Sequence, residues 1–454
     1  MEPEWEAKFE PNSYGFRPGR SAHDAIVAIY LAINKKTKWV LDADIAKCFD
    51  KINHDKLLQK LGTYPKLRQQ IKAWLKSGVI QGNSWFPTKE GTPQGGVISP
   101  LLANIALHGM EEAVKQFAAS FPGNKRDNKL SLSLIRYADD FVILHKEQKV
   151  IEECKKIISD WLADMGLELK SSKTQITHTL KSDKGFNFLG FNIRQYPIGK
   201  HHRGRAGLDF KNLIKPQKEK VKAHIKQIGD TIAKHKSSPQ AALIKELNPI
   251  IQGWSNYNST QVSKEIFVYC DYILFHQLIR WAKRRHPNKG AKWVVNKYWH
   301  TEGKRKWVFG VKKDDSLLRL TKHSDTPIIR HTKVKGARSP YDGDLIYWSS
   351  RLGIHPEMPG EKAALLKNQE GKCNYCGHYF KDGDILEIDH VIPKALGGNN
   401  RKDNKQLLHR HCHDRKTAVD LIGIRDKNHS TEEPDEVKVS RPVLKTSQRG
   451  DSLA

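Results

Sequence analysis

Two acid-bearing segments constrain this chain more than any other feature. In WVLDADIAKCFD, residues 39–50, an apolar run carries Asp42 and Asp44. In LSLIRYADDFVILH, residues 132–145, two apolar runs flank Ala138, Asp139 and Asp140. The first pattern predicts a strand running into a turn or helix, with Val40, Asp42 and Asp44 on one face and Leu41, Ala43 and Ile45 on the other. The second predicts a hairpin with acids at its tip. Carboxylates at the end of a buried strand are costly unless a cation compensates them. Phosphoryl transfer gives them a reason to converge, because two Mg²⁺ ions about 3.5–4 Å apart need bridging carboxylates. An acidic turn alone is usually just a turn, so the neighbouring segments decide.

Composition narrows the partner. Lys and Arg number 78 against 50 Asp and Glu, a net charge of +28 that suits a polyanion. A membrane is the other large polyanionic surface, but no apolar stretch approaches the roughly 20 residues needed to span one. The opening MEPEWEAKFEP carries acids where a secretory signal carries basic and apolar residues. Six Cys, three of them near the C-terminus, do not form a disulfide pattern, so a reducing, intracellular setting is expected. At 454 residues the chain exceeds one ordinary core, and 11 Trp supply enough apolar surface for several.

Further segments occur in a fixed order around the acids. SYGFRPGRSAHDAI (13–26) precedes them, GTPQGGVISPLLANI (91–105) lies between them, and GLELKSSKTQI (166–176) and FNFLGFNI (186–193) follow. This series resembles the palm of reverse transcriptases encoded by group II introns. The resemblance implies an α+β chain with a right-hand polymerase palm, partial fingers, an α-helical thumb/maturase domain and a small zinc-containing ββα-metal (HNH) domain. It makes Asp44, Asp139 and Asp140 the ligands of two Mg²⁺ ions. Phe49 matches the bulky residue that excludes a ribose 2′-hydroxyl, so dNTPs are the expected substrates. Gln94 and Gly95 would line the template–nucleotide pocket, and Lys173 would lie near the leaving pyrophosphate. Asp42 matches no catalytic position and is expected to be a satisfied or solvent-facing acid. Relatives carry substantial sequence before SYGFRPGR, so the segment ahead of Ser13 is expected to be a shortened front to the fingers.

Helical spacing governs the middle of the chain. A helix is expected from about Ile151 to a stop at Gly166. Phe267, Cys270, Leu274, Leu278 and Trp281 form a stripe expected to be core. LNPIIQGWSNYN (247–258) and HQLIRWAKRRHPNKGAKWVVNKYW (276–299) resemble the thumb and maturase region, which implies group II intron RNA as a partner. Most aromatics here are expected to pack helices, while the basic run at 283–285, with Arg284 and Arg285, is expected to meet RNA.

Near the C-terminus, Cys373 and Cys376 in CNYCG have zinc-knuckle spacing, and His409 with Cys412 forms a second half-site. Many relatives place Cys where His409 stands, which leaves His411 or His378 as rival fourth ligands. Between the half-sites, Asp389 and His390, then Asn404, then His413 resemble the HNH nuclease pattern. That resemblance implies His390 as general base, Asp389 and His413 as ligands of one divalent ion such as Mg²⁺, Asn404 as the residue orienting His390, and duplex DNA as substrate.

The expected organisation is 1–205 partial fingers and palm, 206–302 thumb/maturase, 303–359 a basic linker or DNA-binding region, 360–425 the HNH nuclease with structural zinc, and 426–454 a disordered tail. The resemblance implies an RNA-directed DNA polymerase and maturase with DNA-nicking activity, serving intron splicing and target-primed mobility. Two narrower readings stand beside it: a splicing-only maturase, and a DNA nickase without polymerase activity. The expected location is a bacterial cytoplasm or nucleoid, with an organelle as the alternative.

Overall fold

The computed structural model describes residues 1–81, 84–86, 88–93, 96–198, 208–313, 316–381 and 383–429. It divides into two compact units: Phe9–Ala337, and a smaller one of Met1–Lys8 with the chain from Arg338 onward. Helices and sheets are mixed in both.

In the larger unit the first strand is β1 (Trp39–Asp44). A short hairpin follows, β2 (Val79–Gln81) and β3 (Ser84–Phe86), then β4 (Ser133–Tyr137), β5 (Asp140–His145) and β6 (Gln175–His178). β1 lies between β5 and β6 in an antiparallel sheet ordered β4-β5-β1-β6. Val40 faces Leu144, Asp42 faces Val142 and Asp44 faces Asp140. Val40, Val142 and Leu144 share a core with Ala25, Ile26, Ile29 and Ile33 of the helix Ala22–Ile33. One face of β1 therefore changes from apolar at Val40 to acidic at Asp44. The apolar end anchors the strand, and the acidic end is free to serve a site.

Helix Gln148–Asp164 packs on β1 and β5 and buries Ile151, Cys154, Ile158 and Leu162. It starts three residues before the predicted Ile151. It ends where Gly166 adopts a φ of 76°, a left-handed conformation that glycine takes without a side-chain penalty. A second antiparallel sheet, β7 (Phe186–Phe188), β8 (Phe191–Pro197) and β9 (Phe210–Pro216), adds Phe186, Phe188, Phe191 and Ile193 to the same core.

Four helices follow: Lys218–Lys234, Gln240–Asn258, Lys264–Arg285 and Ala291–Tyr298. The predicted stripe Phe267, Cys270, Leu274, Leu278 and Trp281 is buried throughout. The end of the segment expected as thumb/maturase and the start of the one expected as a basic linker or DNA-binding region form one sheet, β10 (Trp299–Glu302), β11 (Arg305–Lys313) and β12 (Ser316–Arg319), with Phe309 and Leu320 in the helical core. β10 (WHTE) and β12 (SLLR) are four residues each, too short for an alternation to stand out in sequence.

In the smaller unit, helices Leu345–Leu352 and Gly360–Asn368 precede a two-stranded sheet, β13 (Leu386–His390) paired with β14 (Lys405–His409). The helix Arg410–His429 completes a ββα arrangement. Leu365, Leu366, Cys373, Phe380, Leu407, Leu408 and Cys412 form its core. The tail expected at 426–454 falls outside the described residues from 430 onward.

Candidate functional site

The sheet brings the predicted acids together. Asp44 ends β1 directly opposite Asp140, the first residue of β5, and the Ile45 N–H donates to the Asp139 carbonyl at 3.2 Å. Tyr137 and Asp140 pair across the hairpin, leaving Ala138 and Asp139 as its two-residue turn. Ala138 sits at φ 58°, a left-handed conformation that costs a non-glycine residue about 1–2 kcal/mol. Something must hold that turn.

The clamp is Arg136, which the sequence reading did not single out. Its side chain is almost wholly buried. Nη2 donates to Ser13 Oγ at 2.8 Å, and Nη1 donates to Asn104 Oδ1 at 3.1 Å and to the Ala138 carbonyl at 3.2 Å. The Asn104 amide donates to the Gly15 carbonyl at 2.9 Å. Backbone bonds between Asn12, Tyr14 and Arg136 run the SYGFRPGR segment along β4. A side chain at Gly15 would place its Cβ 2.2 Å from the Ala138 nitrogen, so only glycine permits this approach. Three motifs far apart in sequence thus close on one acidic turn.

Electrostatics give the site its preference for cations. Burial raises the Asp139 carboxyl above its ordinary value, opposed by a backbone hydrogen bond and aided by the charge of Asp44. Burial, then the charges of Asp139 and Asp44, push Asp140 up to about 6. Lys173 donates to Asp44 Oδ2 at 2.7 Å, and Lys170 lies 3.8 Å from the same oxygen. Three converging carboxylates beside one another are a hard-oxygen donor set suited to Mg²⁺. Asp42 is also pushed up to about 6 by burial, while its Oδ2 accepts from Gln175 at 3.1 Å, as expected of a satisfied acid. Asp42, Asp44, Asp140 and Lys173 line a cleft of about 840 Å³ that continues past Lys220 to Trp254 and Tyr257.

The Phe49 ring stands edge-to-face against Phe16 at 5.9 Å. Its carbonyl accepts from the Thr92 N–H at 2.6 Å, which docks the start of the GTPQGG loop. Gln94 and Gly95 lie outside the described residues. Arg284 is exposed. Arg285 Nη1 donates to the carbonyls of Lys236 and Ser238 at 2.8 and 2.9 Å, and the guanidinium lies over Trp281. It ties down the turn after helix Lys218–Lys234 because the carbonyls there have no helical partner.

In the smaller unit Cys373, Cys376, His409 and Cys412 gather as one candidate metal cluster. His409 Nδ1 lies 3.5 Å from Cys376 Sγ and 3.9 Å from Cys412 Sγ, so His409 rather than His411 or His378 stands as the fourth member. Its Nε2 faces Asp384 Oδ2 at 3.3 Å. A carboxylate behind a ligating imidazole fixes its tautomer. Three thiols and one imidazole at such spacings fit Zn²⁺.

Strand alternation on β13 sets Glu387 and Asp389 on one face. His413 enters from the helix, with Nδ1 2.6 Å from Glu387 Oε2 and Nε2 3.7 Å from Asp389 Oδ1. Asp389 Oδ2 accepts from Gln406 Nε2 at 2.9 Å and from Lys416 at 3.1 Å. His390 is half-buried, and its Nε2 bonds Asn400 Oδ1 at 3.1 Å. The contact expected between Asn404 and His390 is not made. The Asn404 amide instead closes the connecting loop, bonding the Ile392 N–H and carbonyl and the Asn399 carbonyl at 2.8–3.0 Å. A buried amide satisfies its donors and acceptor where the loop backbone needs them.

Comparison with known proteins gives three family matches. Residues 1–193 match the family described as reverse transcriptase (RNA-dependent DNA polymerase). Residues 220–299 match the group II intron maturase-specific domain, and residues 373–418 match HNH endonuclease. Protein YkfC of Escherichia coli (strain K12) is 32% identical over 42% of this chain, which spans 58% of that protein. The group II intron-encoded protein LtrA of Lactococcus lactis subsp. cremoris is 27% identical, covering 91% of this chain and 79% of its own length. The type IV methyl-directed restriction enzyme EcoKMcrA of Escherichia coli (strain K12) is 32% identical over 24% of this chain and 40% of that protein.

Proposed function

We propose that the chain is a group II intron-encoded reverse transcriptase with a maturase domain and an HNH endonuclease domain, which copies RNA into DNA, assists the splicing of its intron RNA and nicks duplex DNA. The observation that carries the polymerase assignment is the Asp44–Asp140 register, with the acidic turn clamped by Arg136 beside the Lys173 ammonium.

Asp44, Asp139 and Asp140 would hold two Mg²⁺ ions. Held there, such ions would supply Lewis acidity toward a primer 3′-hydroxyl and a transferring phosphoryl group. Lys173 supplies a cation for the departing pyrophosphate. Phe49 bars a 2′-hydroxyl, which favours dNTPs over rNTPs. Arg284 on the outer face of its helix offers a contact to the intron RNA backbone.

In the nuclease domain His390 takes a proton from water, with Asn400 holding its Nε2 side. Asp389 and His413 would hold a divalent ion, which would supply positive charge beside the scissile phosphate. Cys373, Cys376, His409 and Cys412 would hold Zn²⁺ and so link the second half-site to the knuckle. The printed name of the restriction-enzyme relative supports DNA as the substrate class. We place the protein in the cytoplasm, where intron transcript and genomic DNA meet in a bacterium. Among the described residues no helix is long and apolar enough to cross a membrane.

The test is primer extension on an RNA template with dNTPs and Mg²⁺, wild type against Asp139→Ala. Extension by wild type and its loss in the variant support the assignment; no metal-dependent synthesis by wild type rejects it. Duplex-DNA nicking should vanish in His390→Ala, and unchanged nicking would reject His390 as the base.

A further inference from the structure

The geometry points to Glu387 as the positioning residue of the nuclease centre: its carboxylate accepts the Nδ1–H of His413 and turns Nε2 toward Asp389, so that the two present themselves as a ligand pair. The inference rests on the reading of Asp389 and His413 as that centre's metal ligands.

Glu387 and Asp389 lie two residues apart on one face of β13, and the His413 ring stands against both. The short 2.6 Å contact is at Nδ1, with Glu387 Oε2. A neutral imidazole carries one proton, so donation from Nδ1 leaves the Nε2 lone pair free. That lone pair faces Asp389 Oδ1 across 3.7 Å. Asp389 is held from its other oxygen, since Oδ2 is engaged by Gln406 and Lys416. Lys416 is fixed in turn by Asp420 at 2.6 Å and the His390 carbonyl at 2.9 Å. Oδ1 and Nε2 are the atoms left for an ion, beside the residue assigned as base. The remaining Glu387 oxygen faces Arg410 Nε at 4.0 Å.

A competing arrangement is present in the same cluster. The Asp414 carboxylate lies within 4.8 Å of the donor atoms of Glu387 and His413, which would suit an ion held by those three. Asp414 is exposed, whereas the Glu387–His413–Asp389 series has the form of the carboxylate–histidine–metal relay seen across metalloenzymes.

The experiment is a Mn²⁺ titration followed by electron paramagnetic resonance. It uses the full-length, zinc-loaded chain with Asp139→Ala and Asp140→Ala to remove polymerase-site ions. Glu387→Ala should weaken Mn²⁺ binding about 10–100-fold. Glu387→Gln, whose amide oxygen still accepts from Nδ1–H, should lose roughly fivefold or less. Zinc content and thermal midpoint should hold in both, and Asp389→Ala should abolish binding. Glu387→Ala within twofold of the parent, with Asp389→Ala inactive in binding, would overturn the positioning role alone. Equal losses in Glu387→Gln and Glu387→Ala would make Glu387 a direct ligand and overturn it as well. Binding lost in Asp414→Ala but kept in Asp389→Ala would overturn both this role and the ligand reading beneath it.

Discussion

Lys173 Nζ stands 2.7 Å from Asp44 Oδ2, so the ammonium that follows the helix stop at Gly166 neutralises the acid at the end of β1. Its charge also lowers the carboxyl values of Asp139 and Asp140 against the burial that raises them. Replacing Lys173 removes both this compensation and the cation offered to pyrophosphate. Lys173→Ala should slow single-turnover primer extension about 10²-fold, on the scale of losing one oriented charge-stabilising donor. A rate within threefold of wild type would mean Lys173 is a surface partner only.

Arg136 makes a different kind of contribution. Its guanidinium joins Ser13, Asn104 and Ala138 inside the larger unit. Arg136→Met leaves those polar groups buried without their partner and should cost about 3–5 kcal/mol of stability, read by urea denaturation. Arg136→Lys should not restore it, because an ammonium cannot span the same fork of acceptors. Nicking that depends on His390 should persist while primer extension is lost.

Phe49 and Phe16 meet edge-to-face at 5.9 Å. Phe49→Val shortens the wall against a 2′-hydroxyl. Discrimination for dNTP over rNTP, measured as the ratio of kcat/KM values, should fall about 10–100-fold, the range a small change in pocket volume commands. An unchanged ratio would remove Phe49 from sugar selection.

Cys412 belongs to the Cys/His cluster and to the core of the smaller unit. Cys412→Ser should release zinc, measured as metal stoichiometry, and should remove hydrogen-exchange protection from β13 and β14, since metal binding in so small a core is folding energy. Nicking should disappear with Mg²⁺ present, and primer extension should remain. Retained zinc would return His411 or His378 to consideration as ligands.

His224 predicts a pH response. It stacks on Trp254 at 4.3 Å, and burial, then the neighbouring His323, pull its value down to about 3. His323 Nδ1 donates to Asp271 at 2.8 Å, so His323 Nε2 accepts from His224 at 2.8 Å. The unfolded chain binds this proton near 6.5 and the folded one near 3, so stability is full above 6.5 and falls as pH drops through that window. The loss should be on the order of 3 kcal/mol by pH 4. Chemical denaturation at pH 7 and pH 4 should show a smaller difference in His224→Gln than in wild type; an equal difference would assign the acid sensitivity elsewhere.

Much of this protein was legible in local pattern. Two-residue alternation put Asp44 at a strand end and Asp139 at a hairpin turn, and helical spacing marked Phe267 to Trp281 as core. Paired spacings also singled out Cys373, Cys376, His409 and Cys412. These signals survive in sequence because each depends on neighbours a few positions away. The partners of polar side chains do not. Arg136 reads as a surface cation until the fold brings Ser13 from 123 residues away and Asn104 from 32 residues away. Arg285 becomes a brace, Asn404 a loop clasp, and Glu387 the neighbour of His413 for the same reason. Sequence by itself determined which chemical groups the two centres contain. Only tertiary structure decided which of them face each other, because a buried donor or acceptor takes its partner from wherever chain closure delivers one.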